Sequence, residues 1–108
     1  MSRKPARAQN VAQFRTEAPK RARIEIEFDE PAILGALFGQ FDANLVLIEN
    51  RLGVYIAARG NKVQIEGGEE GVARARDVLR GMHQRLTQGQ ELDSGAVEAL
   101  ISMSAEPT

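Results

Sequence analysis

The sequence predicts a two-layer α+β sandwich, in which a three-stranded antiparallel sheet carries helices on one face. Two observations predict this fold. Alternating and helical apolar patterns follow one another in the order β-α-α-β-β-α, with a short helix at the end. A Gly-Asn pair joins two of the alternating runs, which is typical of a two-residue hairpin. A chain of 108 residues accommodates one such domain.

The first strand is predicted at RIEIEFD. Ile24, Ile26 and Phe28 alternate with acidic residues, which is the pattern of a half-buried strand. A helix then starts near Pro31, because proline fits the first position of a helix. Gly39 is expected to end it. The apolar face of this helix comprises Ile33, Leu34, Leu37 and Phe38.

The second helix is predicted between an acid and a glycine. Asp42 is expected to be its N-cap, because a carboxylate can accept a bond from the free N–H groups of the first turn. Gly53 is placed as the glycine that follows the last turn. The apolar residues between them are three and four positions apart: Leu45, Ile48 and Leu52.

A hairpin is predicted around Gly60 and Asn61. If Arg59 faces Lys62, counting outward from that pair places four apolar residues on one face, as a single core requires. These residues are Ile56, Ala58, Val63 and Ile65. The opposite face then carries Tyr55, Ala57, Arg59, Lys62, Gln64 and Glu66.

The remaining elements are helical. GGEEG at 67–71 is interpreted as a strand-to-helix turn, because its acids would repel a phosphate. A long helix follows, from about Glu69 to Leu86, with Arg74 on its outer side. Asp93 or Ser94 is expected to cap a short last helix. The buried stripe of the long helix is predicted as Val72, Ala75, Leu79, Met82 and Leu86.

The charges are distributed unevenly along the chain. Residues 1–23 carry seven Lys and Arg against one acid, a net charge of +6, while the remaining residues carry −7. We predict a disordered basic arm at 1–21, a folded domain at 22–103, and a linker or cut end at 104–108. The arm can bind nucleic acid by releasing counterions, or it can be a solvated leader.

Enzyme chemistry finds no support in the residue types. The chain has no cysteine, and its single histidine, His83, has no partner from which to build a zinc site. The serines fall in tails, caps or the last helix, and no P-loop motif is present. We therefore expect no enzyme activity, metal or cofactor. We also expect a cytoplasmic protein without membrane contact, because no apolar run approaches the roughly 20 residues of a membrane span.

The loop FGQFDANL lies between the first two helices. This is the position at which a KH module places the G-x-x-G loop that clamps a nucleic-acid backbone. Here Gly39 supplies the first glycine, but Asp42 stands in place of the second, where its carboxylate would repel phosphate. Phe41 is expected either to pack into the core or to be an exposed anchor for a partner.

The segment from Ile26 to Leu79 resembles the N-terminal KH-like domain of PhoH-like proteins, and the resemblance covers residues 22–103. Its most distinctive parts are FDAN-L-x-x-IE at 41–49 and ARGN-x-V-x-I-x-G at 58–67. These bacterial, cytoplasmic proteins are named for phosphate starvation. They carry a P-loop ATPase domain after this module, so the resemblance implies that the ATP and Mg²⁺ sites belong to a domain missing here. It also implies a role in RNA metabolism and association with an rRNA-maturation endonuclease.

Three functional hypotheses follow. The first is an RNA-contacting module that presents RNA to the attached ATPase domain. The second is a protein-interaction or oligomerisation module without nucleic-acid binding, which the acidic body favours. In the third, the basic arm binds RNA and the folded body only positions it. The candidate contacts for the first are Gly39, Gln40, Arg51, Arg59, Asn61 and Lys62.

Overall fold

The computed structural model describes residues 20–105, so residues 1–19 of the predicted arm at 1–21 and residues 106–108 of the predicted end at 104–108 lie outside that range. Arg21 belongs to the first strand and Ser104 to the last helix, so the folded domain is slightly longer at both ends than the predicted 22–103. The order of elements is β-α-α-β-β-α with a final helix, as predicted. The strands are β1 (Arg21–Glu27), β2 (Tyr55–Arg59) and β3 (Lys62–Gly68). The α-helices are α1 (Leu34–Phe38), α2 (Ala43–Leu52), α3 (Glu69–Thr87) and α4 (Ser94–Ser104).

The sheet has the strand order β1-β3-β2, and both pairings are antiparallel. The predicted hairpin register is confirmed, since Arg59 pairs with Lys62 and Ile56 pairs with Ile65. Gly60 has φ +58° and is the turn's one positive-φ residue, which fits a turn whose first central residue is left-handed. Ala58 is an exception to the predicted core, because it lies beside the hairpin tip and is exposed.

The first predicted helix consists of two pieces. Pro31–Ile33 form a 3₁₀ turn that leads into α1, and Gly39 follows α1 with φ +83°. Leu34 and Leu37 are buried, whereas the outer members of the predicted apolar face are only partly buried. The tight turn is consistent with proline at its first position.

The segment GGEEG contains no turn, contrary to expectation. β3 runs through Gly68, and α3 begins at the next residue. The glycines serve close packing instead, because a Cβ on Gly71 would lie 2.9 Å from the carbonyl oxygen of Leu52. A Cβ on Gly67 would lie 3.1 Å from Cγ1 of Val54. Glycine therefore lets the end of α2 approach the start of α3.

The core lies between the helices and one face of the sheet. Its fully buried members are the large side chains Leu37, Ile48, Val63, Ile65, Val78, Leu79, Met82 and Val97. Asp93 caps α4 as predicted, since its Oδ1 accepts a bond of 2.8 Å from the N–H of Ala96. Arg74 is half-buried rather than outside, because its guanidinium donates to Ser104 Oγ at 3.1 Å and to the carbonyl of Ile101 at 3.3 Å.

Between residues 20 and 105, no single helix is long and apolar enough to cross a membrane. The consecutive segments Pro31–Phe38 and Gln40–Leu52 meet the length and composition only when taken together, and they are bent by 45°. Four of their apolar side chains are buried in the core beneath the sheet: Leu34, Leu37, Leu45 and Ile48.

Candidate nucleic-acid interface

The face of the sheet opposite the helices is polar and uncovered by any described element. Strand alternation places the odd-numbered residues of β1 and β2 and the even-numbered residues of β3 on this open face. The pairing aligns them in three cross-strand rows. The rows are Arg23–Glu66–Tyr55, Glu25–Gln64–Ala57 and Glu27–Lys62–Arg59.

A depression of about 390 Å³ lies at the centre of the open face. The depression forms where the side chain of Ala57, a single methyl group, lies among longer side chains. Three cations surround it: Arg23, Arg59 and Lys62. One carboxylate, Glu25, also lines it. The depression therefore has an excess of positive charge, in contrast to the acidic character of the body as a whole.

The three cations differ in how they are held. The amide oxygen of Gln64, when turned toward Arg23, accepts bonds from Nε at 3.0 Å and Nη2 at 3.1 Å. Arg59 and Lys62 form no ion pair or side-chain hydrogen bond with any residue between 20 and 105, and both are exposed. Because a neutral amide leaves the charge of Arg23 uncompensated, all three cations remain available to an anion.

Arg51 lies elsewhere, on the helical layer. Its guanidinium forms an ion pair with the carboxylate of Glu98, and this pair joins α2 to α4. Both side chains are about half exposed, so the pair contributes little to stability. Arg51 thus lies on the helical layer while Arg59 and Lys62 lie on the open face, and the structure does not bring the six predicted contacts onto one surface.

Asn61 is in the hairpin turn, but its polar groups are used within the fold. Its Nδ2 donates to the carbonyl of Phe28 at 3.0 Å, and its own carbonyl accepts from the N–H of Phe28 at 2.9 Å. A second, longer contact of 3.5 Å reaches Glu27. These bonds tie the hairpin tip to the end of β1, so Asn61 positions Arg59 and Lys62 rather than presenting a free amide.

Gly39 also has a structural reason to be glycine. Its φ is positive, and a Cβ at this position would also lie 3.0 Å from Cγ and Nδ2 of Asn44. Asn44 is the one buried polar side chain among residues 20–105, and its Nδ2 donates to the carbonyl of Leu37 at 3.1 Å. A longer bond of 3.4 Å reaches Ala36. Asn44 thereby satisfies carbonyls that the end of α1 leaves unpaired.

Asp42 occupies the N-cap position of α2, but the predicted capping bond is absent. Its backbone is left-handed, with φ +57°, and its side chain accepts no bond from the first turn of the helix. Capping requires an extended backbone that directs the carboxylate toward the free N–H groups, and a left-handed residue directs it elsewhere. The prediction of a stabilising cap was therefore wrong, and Asp42 places in the loop a negative charge that has no ion-pair partner among residues 20–105.

Phe41 is 90% exposed, so the expectation that it packs into the core is wrong and the ring is exposed, as in the alternative expectation. Its role as an anchor for a partner stays a prediction. Its backbone is also left-handed, with φ +55°. Two consecutive non-glycine residues in this conformation are uncommon, and each costs about 1 kcal/mol. Gln40, beside it, is exposed as well. The loop thus presents an aromatic ring to solvent instead of a row of backbone N–H groups.

Glu49 is a residue whose role the sequence did not reveal. Its Oε2 accepts a hydrogen bond of 2.7 Å from the backbone N–H of Ile56, and so it joins α2 to β2. The bond spans seven residues, and only the packing of the helix against the strand brings the two groups together. A phosphate that approached between α2 and β2 would meet this carboxylate, which disfavours that route.

His83 packs against Phe28, with ring centroids 5.2 Å apart, and its Nε2 lies 3.7 Å from Oε1 of Glu30. This arrangement agrees with the prediction of a structural or edge histidine. Within residues 20–105, no group of three or more His, Asp or Glu side chains is placed to hold a metal ion.

Comparison with known proteins extends only to the fold. No protein-family model matches the chain, and no curated protein matches it. A solved structure is similar: the 1.5 Å crystal structure of a protein of unknown function, APE0754, from Aeropyrum pernix. The two share 19% identity with a TM-score of 0.61, over 84% of this chain. The match covers 50% of the other chain, so this chain spans about half the length of that protein.

Proposed function

We propose that the chain is an RNA-contacting module that holds the backbone of a single strand on the open face of its sheet. The observation that carries the proposal is the grouping of Arg23, Arg59 and Lys62 around one depression, with no carboxylate bonded to any of them. Guanidinium groups bind phosphate oxygens in pairs, and an ammonium group adds a point charge. The loop at Gly39 has no part in this contact.

Two further features support this placement. Lys20 and Arg21 are exposed at the start of β1, so the basic arm joins the body beside the open face. Tyr55 is 63% exposed in the same cross-strand row as Arg23 and offers one ring on which a base can stack. A single aromatic ring and a few cations suit binding with little sequence preference. The acids Glu25, Glu27 and Glu66 on this face keep the affinity modest.

The resemblance to PhoH-like proteins supplies the context of the proposal. In that context the module belongs to a bacterial cytoplasmic protein and lies ahead of an ATPase domain that binds ATP and Mg²⁺. It positions RNA for that domain and for an rRNA-maturation endonuclease. No catalytic step is assigned to the present chain.

The test is a titration of the 108-residue protein with a short single-stranded RNA, followed by NMR and repeated at two salt concentrations. We expect the amide shifts to concentrate between Ala57 and Gln64. Reversing both Arg59 and Lys62 to Glu removes two phosphate contacts. It should therefore lower the slope of log affinity against log salt by about 1.4.

The matched control changes the same charge elsewhere. Arg76 is exposed on α3, where it contacts Asp77 at 3.5 Å, so Arg76→Glu alters the net charge without touching the open face. Equal losses from Lys62→Glu and Arg76→Glu would show that only net charge matters and would overturn the proposal. Deleting residues 1–19 separates the two sources of affinity, because binding that disappears entirely with the arm would favour the third hypothesis.

Phe41 favours a second candidate function, the docking of a protein partner. A 90% exposed aromatic ring on a loop of fixed backbone has the properties of an interface anchor. The test adds the ATPase domain of a PhoH-like protein to the labelled chain and follows the amides of residues 39–44. Shifts that disappear in Phe41→Ala would support docking, while an unchanged loop in both proteins would exclude it.

A further inference from the structure

β1 is an edge strand, and its outward side is uncovered by any residue between 20 and 105. Two bonds beyond its ends fix which residues face outward. The N–H of Glu69 donates to the carbonyl of Lys20 at 2.7 Å, and the N–H of Phe28 donates to the carbonyl of Asn61 at 2.9 Å. Bonded residues alternate along an antiparallel strand, so the even-numbered residues of β1 bond to β3. The odd-numbered residues direct their N–H and C=O groups outward: Arg21, Arg23, Glu25 and Glu27.

The sequence of this strand, RARIEIE, is complementary to itself when it is reversed. An antiparallel copy centred on Ile24 places each Arg opposite a Glu and each apolar residue opposite another apolar residue. We propose that β1 pairs with β1 of a second copy of this chain, about a two-fold axis at Ile24, so that two three-stranded sheets join into one of six strands. Such an interface is closed and uses the same residues on both copies.

The residues of β1 on the open face form both the backbone hydrogen bonds and the charge pairs between the two copies. Arg21 lies opposite Glu27 of the second copy, and Arg23 lies opposite Glu25 of the second copy. Because these are the residues whose backbone groups point outward, each such pair exchanges two backbone hydrogen bonds. Opposite charges directly across a strand pair are stabilising, and like charges are destabilising. The two-fold axis repeats every pair, so four Arg–Glu pairs form. In the dimer Arg23 therefore gains a carboxylate partner that it lacks in the single copy, and RNA and the second copy compete for this one cation of the depression.

The core-face residues gain burial at the same time. Ala22, Ile24 and Ile26 are only partly buried, because no strand lies beyond β1 to cover them. In the pairing, Ile24 meets its own copy at the axis, and Ala22 meets Ile26 of the second copy. Ile24 is then at a non-hydrogen-bonded position, where the side chains of opposing residues lie closest. The partly buried side chains of Ala22, Ile24 and Ile26 in one copy thereby cover the same side chains of the other copy.

The order of charges along β1 favours a second copy of this chain over a strand of another sequence. The first half of β1 is basic and the second half is acidic, so an antiparallel partner must also run from basic to acidic. A uniformly basic or acidic strand would place like charges across half of the pairing. Charged edge residues commonly prevent strand addition. A chain that remains monomeric would show that the charges of β1 serve that purpose.

The test is sedimentation equilibrium of the 108-residue protein, without RNA, between about 10 μM and 1 mM. We expect the apparent mass to rise from 11.8 kDa toward twice that value. Arg23→Glu creates two Glu–Glu contacts in the dimer, and Glu25→Arg creates two Arg–Arg contacts. Each variant alone should weaken the association about tenfold or more.

Mixing the two variants distinguishes this pairing from any other contact. Arg23→Glu opposed to Glu25→Arg restores an opposite charge at every position, so the mixture should dimerise as the parent does while each component remains monomeric. Phe41→Ala and Arg76→Glu are the controls, and they should leave the parent dimer unchanged. Loss of the dimer in Phe41→Ala, a monomeric parent, or no recovery in the mixture would each overturn the proposal. Far-ultraviolet circular dichroism verifies that every variant is folded.

Discussion

The two edge strands of the sheet, β1 and β2, differ in what lies against their outward backbone groups. At β2 the closing pair of the hairpin is Arg59 and Lys62, so Ile56 and Ala58 direct their backbone groups outward. The carboxylate of Glu49 accepts the N–H of Ile56 at 2.7 Å, and α2 lies alongside. At β1 four residues direct their backbone N–H and C=O groups outward, and no group within residues 20–105 bonds to those backbone groups. At β2 the chain itself therefore occupies the outward N–H of Ile56, whereas the outward groups of β1 are all available to a second chain.

The difference shows how charge can either block or direct strand pairing. Glu49 uses a carboxylate from another element to occupy an N–H group, which removes a donor that a new strand would need. β1 carries its charges on the strand itself, in an order that admits a reversed copy. The same residue types thus exclude partners at one edge and select one partner at the other.

The largest expected effect comes from proline at β1, because proline removes one N–H and so reports which way that N–H points. Ile24→Pro deletes a bond to β3 and leaves a buried carbonyl unpaired. It should cost about 2 kcal/mol more than Ile24→Ala in the free energy of unfolding. Glu25→Pro removes an outward N–H, so it should lie within about 0.5 kcal/mol of Glu25→Ala while abolishing the dimer. Urea denaturation at low protein concentration measures both differences.

If the two proline variants cost the same, the assignment of outward residues on β1 would be incorrect. The comparison uses alanine variants as references because they remove the side chain without touching the N–H group. Only the proline-specific part of each loss is then interpreted.

Removing the carboxylate that closes the β2 edge should have the next largest effect. Glu49→Ala leaves the N–H of Ile56 without its partner, which should destabilise the fold by about 1–2 kcal/mol. Glu49→Gln keeps an oxygen acceptor, so it should cost less than Glu49→Ala. Hydrogen exchange at the Ile56 amide should accelerate in the same order. A destabilisation equal to that of Glu98→Ala, which only breaks an exposed ion pair, would show that Glu49 does not close the edge.

The fold was predictable because several residues of each element follow the same sequence pattern. The alternation in β1 and the Gly60–Asn61 pair fix the strands and their register, and several residues must agree for either pattern to arise. No such pattern in the sequence predicts the hydrogen bond between Glu49 and Ile56. It depends on how α2 packs against β2, and a single glutamate on a helix is ordinarily a solvated residue.

The loop at 39–44 was harder to predict for a different reason. Residue type gives a strong expectation of positive φ only for glycine, yet Phe41 and Asp42 are both left-handed. That conformation turns Asp42 away from α2 and exposes Phe41. Asn44 holds the loop through carbonyls at the end of α1. An asparagine at the start of an otherwise apolar helix was the available signal. Of the predicted contacts, Arg59 and Lys62 share the open face, whereas Arg51 does not.

A smaller effect is expected where β1 meets the hairpin. Asn61 donates to the carbonyl of Phe28, so Asn61→Ala should cost about 1 kcal/mol and loosen the end of β1. The matched control is Asn50→Ala, because Asn50 is exposed on α2 and makes no side-chain hydrogen bond with residues 20–105. Thermal unfolding compares the two variants. A loss that is no larger than that of Asn50→Ala would mean that the backbone bonds alone hold the hairpin against β1.

Salt should produce the smallest effect and should separate the two edges by mechanism. Raising the salt from about 0.1 M to 1 M shortens the Debye length from roughly 10 Å to 3 Å. The exposed Arg–Glu pairs between two β1 strands should then weaken, and we expect about a threefold rise in the dissociation constant of the dimer. The stability difference between the parent and Glu49→Ala should change little, because the bond to Ile56 is partly buried and adjoins the core. Sedimentation equilibrium and urea denaturation across the same salt series measure the two quantities. A dimer that tightens with salt would mean that the apolar contacts at Ile24 outweigh the charge pairs, because high salt strengthens the burial of apolar surface while it screens charge.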